Sequence, residues 1–459
     1  MMMEAGYFIM CGYAILGITI VTLASTFNSL AENTGYVSSD CGTVFISRGF
    51  GCVVGSVASF WLYDRINAKY AIIASLIPLN IIVGVLSMNH NLDLLRSYYF
   101  LMGVLTSVID FGLSKLTNLV YQKRAGPWLG WNNILFGLFG SIVPLLAIIS
   151  DNDLEKQYIG LTVLICILSA IFIAGPNAQL SQTVKYIFLT KEIPVNGTSN
   201  SSNGTLVSSI SGTAPHYYVE IIAAVIFFGL YGGLNSATTF IDQYVEERNL
   251  MGSNEEPRLV FTFWIMVAIG RFIGVIDQVK ISSTSLAYHL SFLLFCGIVG
   301  MIIIVSSQKS SAAVWIGIII YGLSNGPCFG MCTDVVSRLI RPSTLSSLIV
   351  TFGANLGLAL VPYIATVIWD DVYGPGTLIL LILVTMLVSF LLAPTLHYVS
   401  YKSISDDEEI SSIFASEDGE HQYWTDLQNM TGTANVVLNY KGMALSQKLK
   451  NKKTDDPMK

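Results

Sequence analysis

Asp110 is a carboxylate set in an apolar stretch, and Ser107, Ser114, Thr117 and Asn118 recur around it at three- and four-residue spacing. On a helix those positions fall on one face, giving a polar stripe that carries one acid. A charge at the centre of a membrane helix costs about 2.5–3.5 kcal/mol, so it needs a partner or a task. The chemistry open to Asp110 is to bind and release a proton or to hold a small cation. The competing reading is an ion pair with Arg48 or Lys115 that only orders the helices. Lys115 can also reach along its own stem toward the nearer aqueous side. Arg48 and Arg271 are the other charges inside apolar runs.

A second set offers amides, phenols and an indole rather than charge. Tyr231, Asn235 and Thr238 share one helical face, and Tyr321 and Asn325 share another just before Gly326-Pro327. Asn355 lies midway along a later apolar run, Asn132 and Asn133 are adjacent in an earlier one, and Trp264 follows Phe263. Such groups suit hydrogen bonding to a neutral hydroxylated solute, with the indole stacked on a sugar ring. The same groups can join helix to helix inside a membrane. There is no glycine-rich phosphate loop, no His/Cys cluster and no nucleophile–base set; His90, His216, His289, His397 and His421 are scattered. The expectation is a protein that is not an enzyme, with no cofactor and no bound metal.

The elements that must position these residues are membrane helices. Of 459 residues 53% are hydrophobic and 12% charged, against roughly 25% charged in soluble domains. A crossing needs about 20 mostly apolar residues. Such runs lie at about 7–30, 42–63, 70–88, 98–119, 128–150 and 157–175, then at about 218–242, 259–279, 286–306, 312–335, 345–368 and 376–398. The reading is an all-α membrane protein of twelve transmembrane helices in two six-helix bundles. The domains expected are 1–180, a cytoplasmic linker 181–216, a second bundle 217–399, and a disordered cytoplasmic tail 400–459. Glu4 is the only charge before the first run, which reads as a retained helix rather than a signal peptide. Loops on one side carry Arg65, Lys69, Lys123, Arg124, Lys185, Lys191, Lys280, Arg338 and Arg341; those on the other carry Asp93, Asp151, Asp153, Glu155, Glu246, Glu247, Glu255, Glu256, Asp370 and Asp371. Lys and Arg favour the cytoplasmic face, so both termini are expected there, in a plasma membrane. The sequon-like triplets at Asn196, Asn200 and Asn203 would then be hidden from glycosylation. The net charge of −6 carries no basic patch for nucleic acid. Six of the seven cysteines, all but Cys41, fall in apolar stretches and read as buried thiols. Gly51, Gly55 and Ser59 form a small-residue ladder for close helix contact. Gly137, Gly140 and Pro144 resemble it, as do Gly353, Gly357 and Pro362, and Gly326-Pro327 is expected to loosen its helix.

Between the second and third runs the chain reads Asp64-Arg65-Ile66-Asn67-Ala68-Lys69. This resembles the loop signature of the major facilitator superfamily, an Asp-Arg pair, a turn glycine and a further basic residue. Asn67 stands at the glycine, and Asn is the next best residue at positive φ. Phe60 replaces an upstream glycine, and the second-half echo at Gly274, Asp277 and Lys280 is degenerate. Ser47-Arg48-Gly49-Phe50-Gly51, Ala31-Glu32-Asn33-Thr34-Gly35, Asp110-Phe111-Gly112, Phe136-Gly137, Tyr231-Gly232-Gly233, Phe263-Trp264 and Gly270-Arg271 are similar to a narrower branch. That branch is the sodium-dependent glucose transporter type related to bacterial fucose permeases. The resemblance, over about 7–399, implies a cavity lined by the first, fourth, seventh and tenth helices, with Asp110 as the helix-4 acid and Asp64, Arg65 and Lys69 at a cytoplasmic gate. It implies a hexose as solute and sodium or a proton as partner within the lipid bilayer. Relatives often carry acids late in helix 1 and in helix 7, where this chain has Asn28-Ser29 and Leu230, so uncoupled facilitation stays open. A non-transporting receptor or scaffold, signalling through Asp406–Glu409 and the neighbouring serines, is the second reading.

Overall fold

Apolar runs of this length can satisfy their backbone groups in lipid only as helices. The computed structural model describes residues 2–36, 38–121, 125–175, 218–252, 255–280, 283–306, 309–339, 344–368 and 374–413, and among them there is no strand. The first part holds α1 (Met2–Thr34), the short α2 (Ser38–Cys41), α3 (Thr43–Arg65), α4 (Ala68–Leu86), α5 (Leu92–Tyr121), α6 (Ala125–Gly140), α7 (Ile142–Ile149) and α8 (Leu154–Ala174). The second holds α9 (Tyr218–Glu247), α10 (Glu256–Lys280), α11 (Ser283–Ser306), α12 (Ser311–Leu339), α13 (Thr344–Ile368) and α14 (Gly376–Ile413). Twelve helical stretches are long and apolar enough to cross a membrane, six on each side of the 176–217 gap. Phe50, Ile77, Ile81, Ile167, Phe292 and Leu391 stand exposed on the outside, a surface that lipid rather than water must cover.

The fifth crossing is built from two pieces, α6 and α7, with the break at Ser141. Pro144 causes it: proline has no N–H for the carbonyl four residues back and its ring crowds that carbonyl. The Ser141 hydroxyl turns to the Leu138 carbonyl at 2.6 Å. The loosening expected at Gly326-Pro327 is not seen as a break, since α12 runs through Pro327 as one helix. Pro327 lies where Cβ atoms on Gly270 and Gly274 would touch it, so α10 and α12 pack closely there.

The two sets of six repeat one packing scheme. In the first, α1 lies on α6 and α3 on α5; in the second, α9 lies on α13 and α10 on α12. The small-residue ladder explains α3 on α5, because side chains on Gly51 and Gly55 would strike the carbonyls of Phe100 and Val104. The sets meet along α3 with α13, α6 with α10, and α1 with α9. Met1–Tyr398 form one compact unit and Val399–Lys459 a second. Helical backbone continues to Ile413, into the segment expected from 400 as a tail. Residues 181–216 with their sequons, Lys123, Arg124, Lys185, Lys191, Arg341, Asp370, Asp371 and 414–459 lie outside the described residues. All seven cysteines are free thiols; Cys41 is buried and Cys166 exposed, the reverse of what their setting in the sequence predicts.

Local chemistry starts two of the crossings. Asp153 caps α8, accepting the Lys156 N–H at 3.1 Å, and the Lys156 ammonium 2.9 Å away holds its carboxyl below the usual carboxylate range. Asn67 caps α4, its side chain accepting the Lys69 N–H at 3.0 Å. Its φ of −61° and ψ of 130° are extended, so the positive φ expected at this position is wrong. An N-cap residue sits in the β region with its side chain turned back on the helix, which Asn does well without glycine. Asn67→Ala is therefore expected to cost about 1 kcal/mol and Asn67→Gly only a few tenths, measured as the difference in thermal unfolding of the purified protein.

Candidate solute site

α5 begins at Leu92, earlier than the apolar run alone indicates, so Asp110 lies eleven residues before Tyr121. At 1.5 Å per residue that is about 16 Å from the end of α5 nearest Arg65 and only about 5 Å past the middle of the helix. The sequence charges name the two ends: a basic side carrying Arg65 and an acidic side carrying Asp93 and Glu246. Leu94 and Leu101 are exposed on one face of α5. Asp110, nine residues past Leu101, lies half a turn round, on the opposite face.

That face is not lipid. Asp110 is within electrostatic reach of the Tyr13 phenol on α1, the Cys52 thiol and Tyr63 phenol on α3, and the Tyr231 phenol on α9. Its own carboxylate is open to water-sized access, while Thr106, Ile109 and Leu113 beside it are buried. An open carboxylate ringed by groups from three other helices faces an internal hollow. Among the described residues it makes no ion pair. Arg48 is instead buried, its guanidinium reaching the Ile20 carbonyl at 3.4 Å. Lys115 gives its ammonium to the Tyr63 carbonyl at 2.6 Å and lies over the Tyr63 ring. The competing reading of an Asp110 ion pair with either cation is therefore not realised. The rest of the stripe stays together: the Ser114 hydroxyl lies 3.1 Å from the Tyr13 hydroxyl. The Asn118 side chain is outside the described residues.

The uncharged candidates divide. Tyr231 is part-exposed and within electrostatic reach of both Asp110 and Arg271. Asn133 is part-exposed too, and its carbonyl accepts the Arg271 guanidinium at 2.7 Å. Arg271 also lies 4.8 Å over the Phe136 ring, so one buried cation ties α10 to α6. Such a contact is worth about 0.5–2 kcal/mol. Asn355 is nearly buried, with an amide N–H that has no partner. Trp264 is buried beside Phe136, and its indole N–H also has none. The others serve helix contacts. Asn132 gives its amide to the Thr117 hydroxyl at 3.3 Å, Asn235 to the Leu358 carbonyl at 3.4 Å, and Asn325 to the Tyr321 hydroxyl at 3.3 Å. Tyr321 itself is fully buried and stacked on Phe263. Of the gate residues, Arg65 covers the Trp61 ring and the Lys69 ammonium binds the Gly175 carbonyl; the Asp64 side chain is outside the described residues.

The hollow is closed toward the acidic side. Phe27 of α1, Phe45 of α3 and Phe240 of α9 are buried together, with ring centroids 4.8 to 6.2 Å apart. Below them Gly49 of α3 meets Ala359 and the Asn355 carbonyl of α13. Further toward the basic side the same two helices part around a space of about 260 Å³ lined by Val53, Ser56, Val57, Leu348, Ile349, Phe352 and Asn355. That space is an apolar groove rather than the polar site, and its value is to show where the helices separate. Asp242, which its apolar run alone sets at the edge of a loop, lies inside α9, two residues past Phe240 and facing Asn28 of α1. Tyr13 and Tyr63 were likewise not singled out; aromatic residues in apolar runs look alike whether they pack or line a hollow.

A family model described as Major Facilitator Superfamily matches residues 9–362. The chain is similar to the Sodium-dependent glucose transporter 1 of Xenopus laevis, 22% identical over 75% of this chain and 71% of that protein. It is also 20% identical, over 57% of its own length, to a Protein TsgA homolog of Yersinia enterocolitica, and spans 62% of that protein. Among solved structures, the D-xylose-proton symporter superposes with a TM-score of 0.64 at 10% identity, covering 85% of this chain and 97% of that one. FucP in its outward conformation gives 0.57 at 12% identity, covering 85% and 98%.

Proposed function

The chain belongs to the major facilitator superfamily of membrane transporters, as a multi-pass integral membrane protein, and from that membership we propose that it carries a monosaccharide by alternating access with Asp110 as its coupling group. The observation that carries this reading is a carboxylate that has no ion pair among the described residues and stands open to water within a body of membrane-length helices. A group in that position can take up a cation when the hollow faces one side and release it on the other. Tyr231 and Asn133, both part-exposed, supply neutral hydrogen-bonding groups a sugar requires, while Asn355 and Trp264 hold buried N–H groups without partners that a solute's oxygens would meet only as the helices around them move. Asn132, Asn235, Tyr321 and Asn325 act through the helix contacts that hold those groups in place. The relative named as a sodium-dependent glucose transporter and the solved structure named as a D-xylose-proton symporter support a sugar rather than an anion. The basic side faces the cytosol, as Lys and Arg do, in a plasma membrane. The domain limits proposed are those expected from the sequence, 1–180, 181–216, 217–399 and 400–459.

Uptake of labelled hexoses and pentoses by vesicles holding the purified protein, with a sodium gradient, a proton gradient or neither, tests this. Accumulation above equilibrium under one gradient is the expected result. Equilibration at the same rate under all three would leave a facilitator and remove the coupling role, and no uptake of any sugar would remove the substrate.

A further inference from the structure

Asp242 and Asn28 face each other from the two halves of the molecule. The Asn28 amide approaches the Asp242 carboxylate at 3.5 Å, the long limit of a hydrogen bond, and the Asn28 side-chain oxygen is buried with no partner at all. Both residues lie beside the buried rings that shut the acidic side, Asn28 next to Phe27 on α1 and Asp242 two residues past Phe240 on α9. A carboxylate can only accept, so it satisfies the N–H₂ end of an amide and leaves the oxygen unmet. A carboxylic acid does both, joining a primary amide in a ring of two hydrogen bonds. A polar atom buried without a partner costs about 1–3 kcal/mol, and one proton on Asp242 removes that cost at Asn28.

The charges nearby point the same way. Glu246, one turn along α9, and Glu256, at the start of α10, act on Asp242 as like charges. From α1 there is Glu32, a turn past Asn28, while α13 carries no charged residue and α12 none near this end. Among cations, Arg248 lies over the Tyr244 ring and Arg258 is exposed. Among the described residues Asp242 has no ion pair.

We propose that Asp242 and Asn28 form a proton-dependent latch on the acidic-side gate. With Asp242 protonated, the acid–amide ring closes behind Phe27, Phe45 and Phe240 and the carrier opens to the basic side. Loss of that proton to water at the acidic mouth breaks the ring and reopens the gate. The proton comes from that water and returns to it, so the latch senses pH without carrying charge across the membrane. This role is separate from that of Asp110, though it rests on the carrier reading above.

The test reads distance, not uptake. Spin labels at Tyr36→Cys and Asn249→Cys, exposed positions on the acidic side of the two halves, are placed in a Cys11→Ser, Cys166→Ser, Cys296→Ser background of the full chain in nanodiscs, which removes the thiols that are not buried. With no solute and no gradient, acidification is expected to raise the ratio of short to long distances, by at most about tenfold per pH unit, the limit for one proton. Asp242→Asn, an amide that completes the ring without a proton, should hold the short distance at every pH. Asn28→Asp places two acids together and should move closure to lower pH. A wild-type distribution indifferent to pH, or one shifted by sodium at fixed pH instead, overturns the latch. So does an Asp242→Asn variant that still follows pH as the parent does. Because uptake is measured apart from these distances, a protein that latches but moves no sugar would overturn the carrier reading alone.

Discussion

Asp110→Asn is expected to abolish gradient-driven accumulation while leaving exchange of solute across the membrane running. The substitution keeps size and hydrogen-bonding capacity and removes only the ability to carry a charge or a proton. Asp110 has no ion pair to leave stranded among the described residues, so the fold loses nothing by the change. What is lost is the coupling free energy, about 2.3 kcal/mol for one charge at 100 mV, or roughly 50-fold in accumulation ratio. The check is uptake into vesicles at an imposed potential, beside counterflow with solute preloaded inside. Accumulation should collapse to equilibrium and counterflow persist. Full accumulation in the variant would take the coupling role from Asp110, and loss of both would make it a solute contact instead.

The sequence exposed Asp110 because an acid on a period of three and four within an apolar run needs either a partner or a task. It could not separate Asn133 and Tyr231, which are open, from Asn132 and Asn325, which close helix contacts. An amide in a membrane helix costs the same whichever partner it finds, so composition and spacing are blind to the choice. Asp242 was missed for another reason. It stands at the last position of an apolar run and is followed by Glu246 and Glu247, so it resembles the first charge of a loop. Only the extension of α9 to Glu247, against an α1 that runs to Thr34, brings it inside. A signal was nonetheless present: Phe27-Asn28 and Phe240-Ile241-Asp242 each set a polar side chain against a ring near the same end of a crossing. Asn67 shows the same limit at the scale of one residue, since a helix cap and a left-handed turn both favour Asn.

Gly49 and Gly51, two residues apart on α3, should respond to valine in opposite ways. A Cβ on Gly51 meets the backbone of Phe100 on α5, within the same half, at 2.9 Å from its carbonyl carbon. That contact belongs to the packing of the half itself and is present in every state of the carrier. Gly51→Val should therefore destabilise the protein throughout, with poor recovery of folded material. A Cβ on Gly49 meets Ala359 and lies 3.2 Å from the Asn355 carbonyl on α13, in the other half. On the alternating-access reading, those neighbours are present only while the acidic side is closed. Overpacking of this kind costs about 1–3 kcal/mol, which would disfavour the closed arrangement by roughly 5- to 150-fold. Gly49→Val should fold with a melting temperature near the parent's, bind solute from the acidic side and turn over slowly. Moving the methyl rather than adding one gives the control: Gly49→Ala with Ala359→Gly should recover turnover that Gly49→Ala alone loses, a coupling expected of groups in contact. If Gly49→Val instead melted as low as Gly51→Val, the contact between α3 and α13 would be part of a fixed core, and a hollow that opens alternately to the two sides could not be built on it.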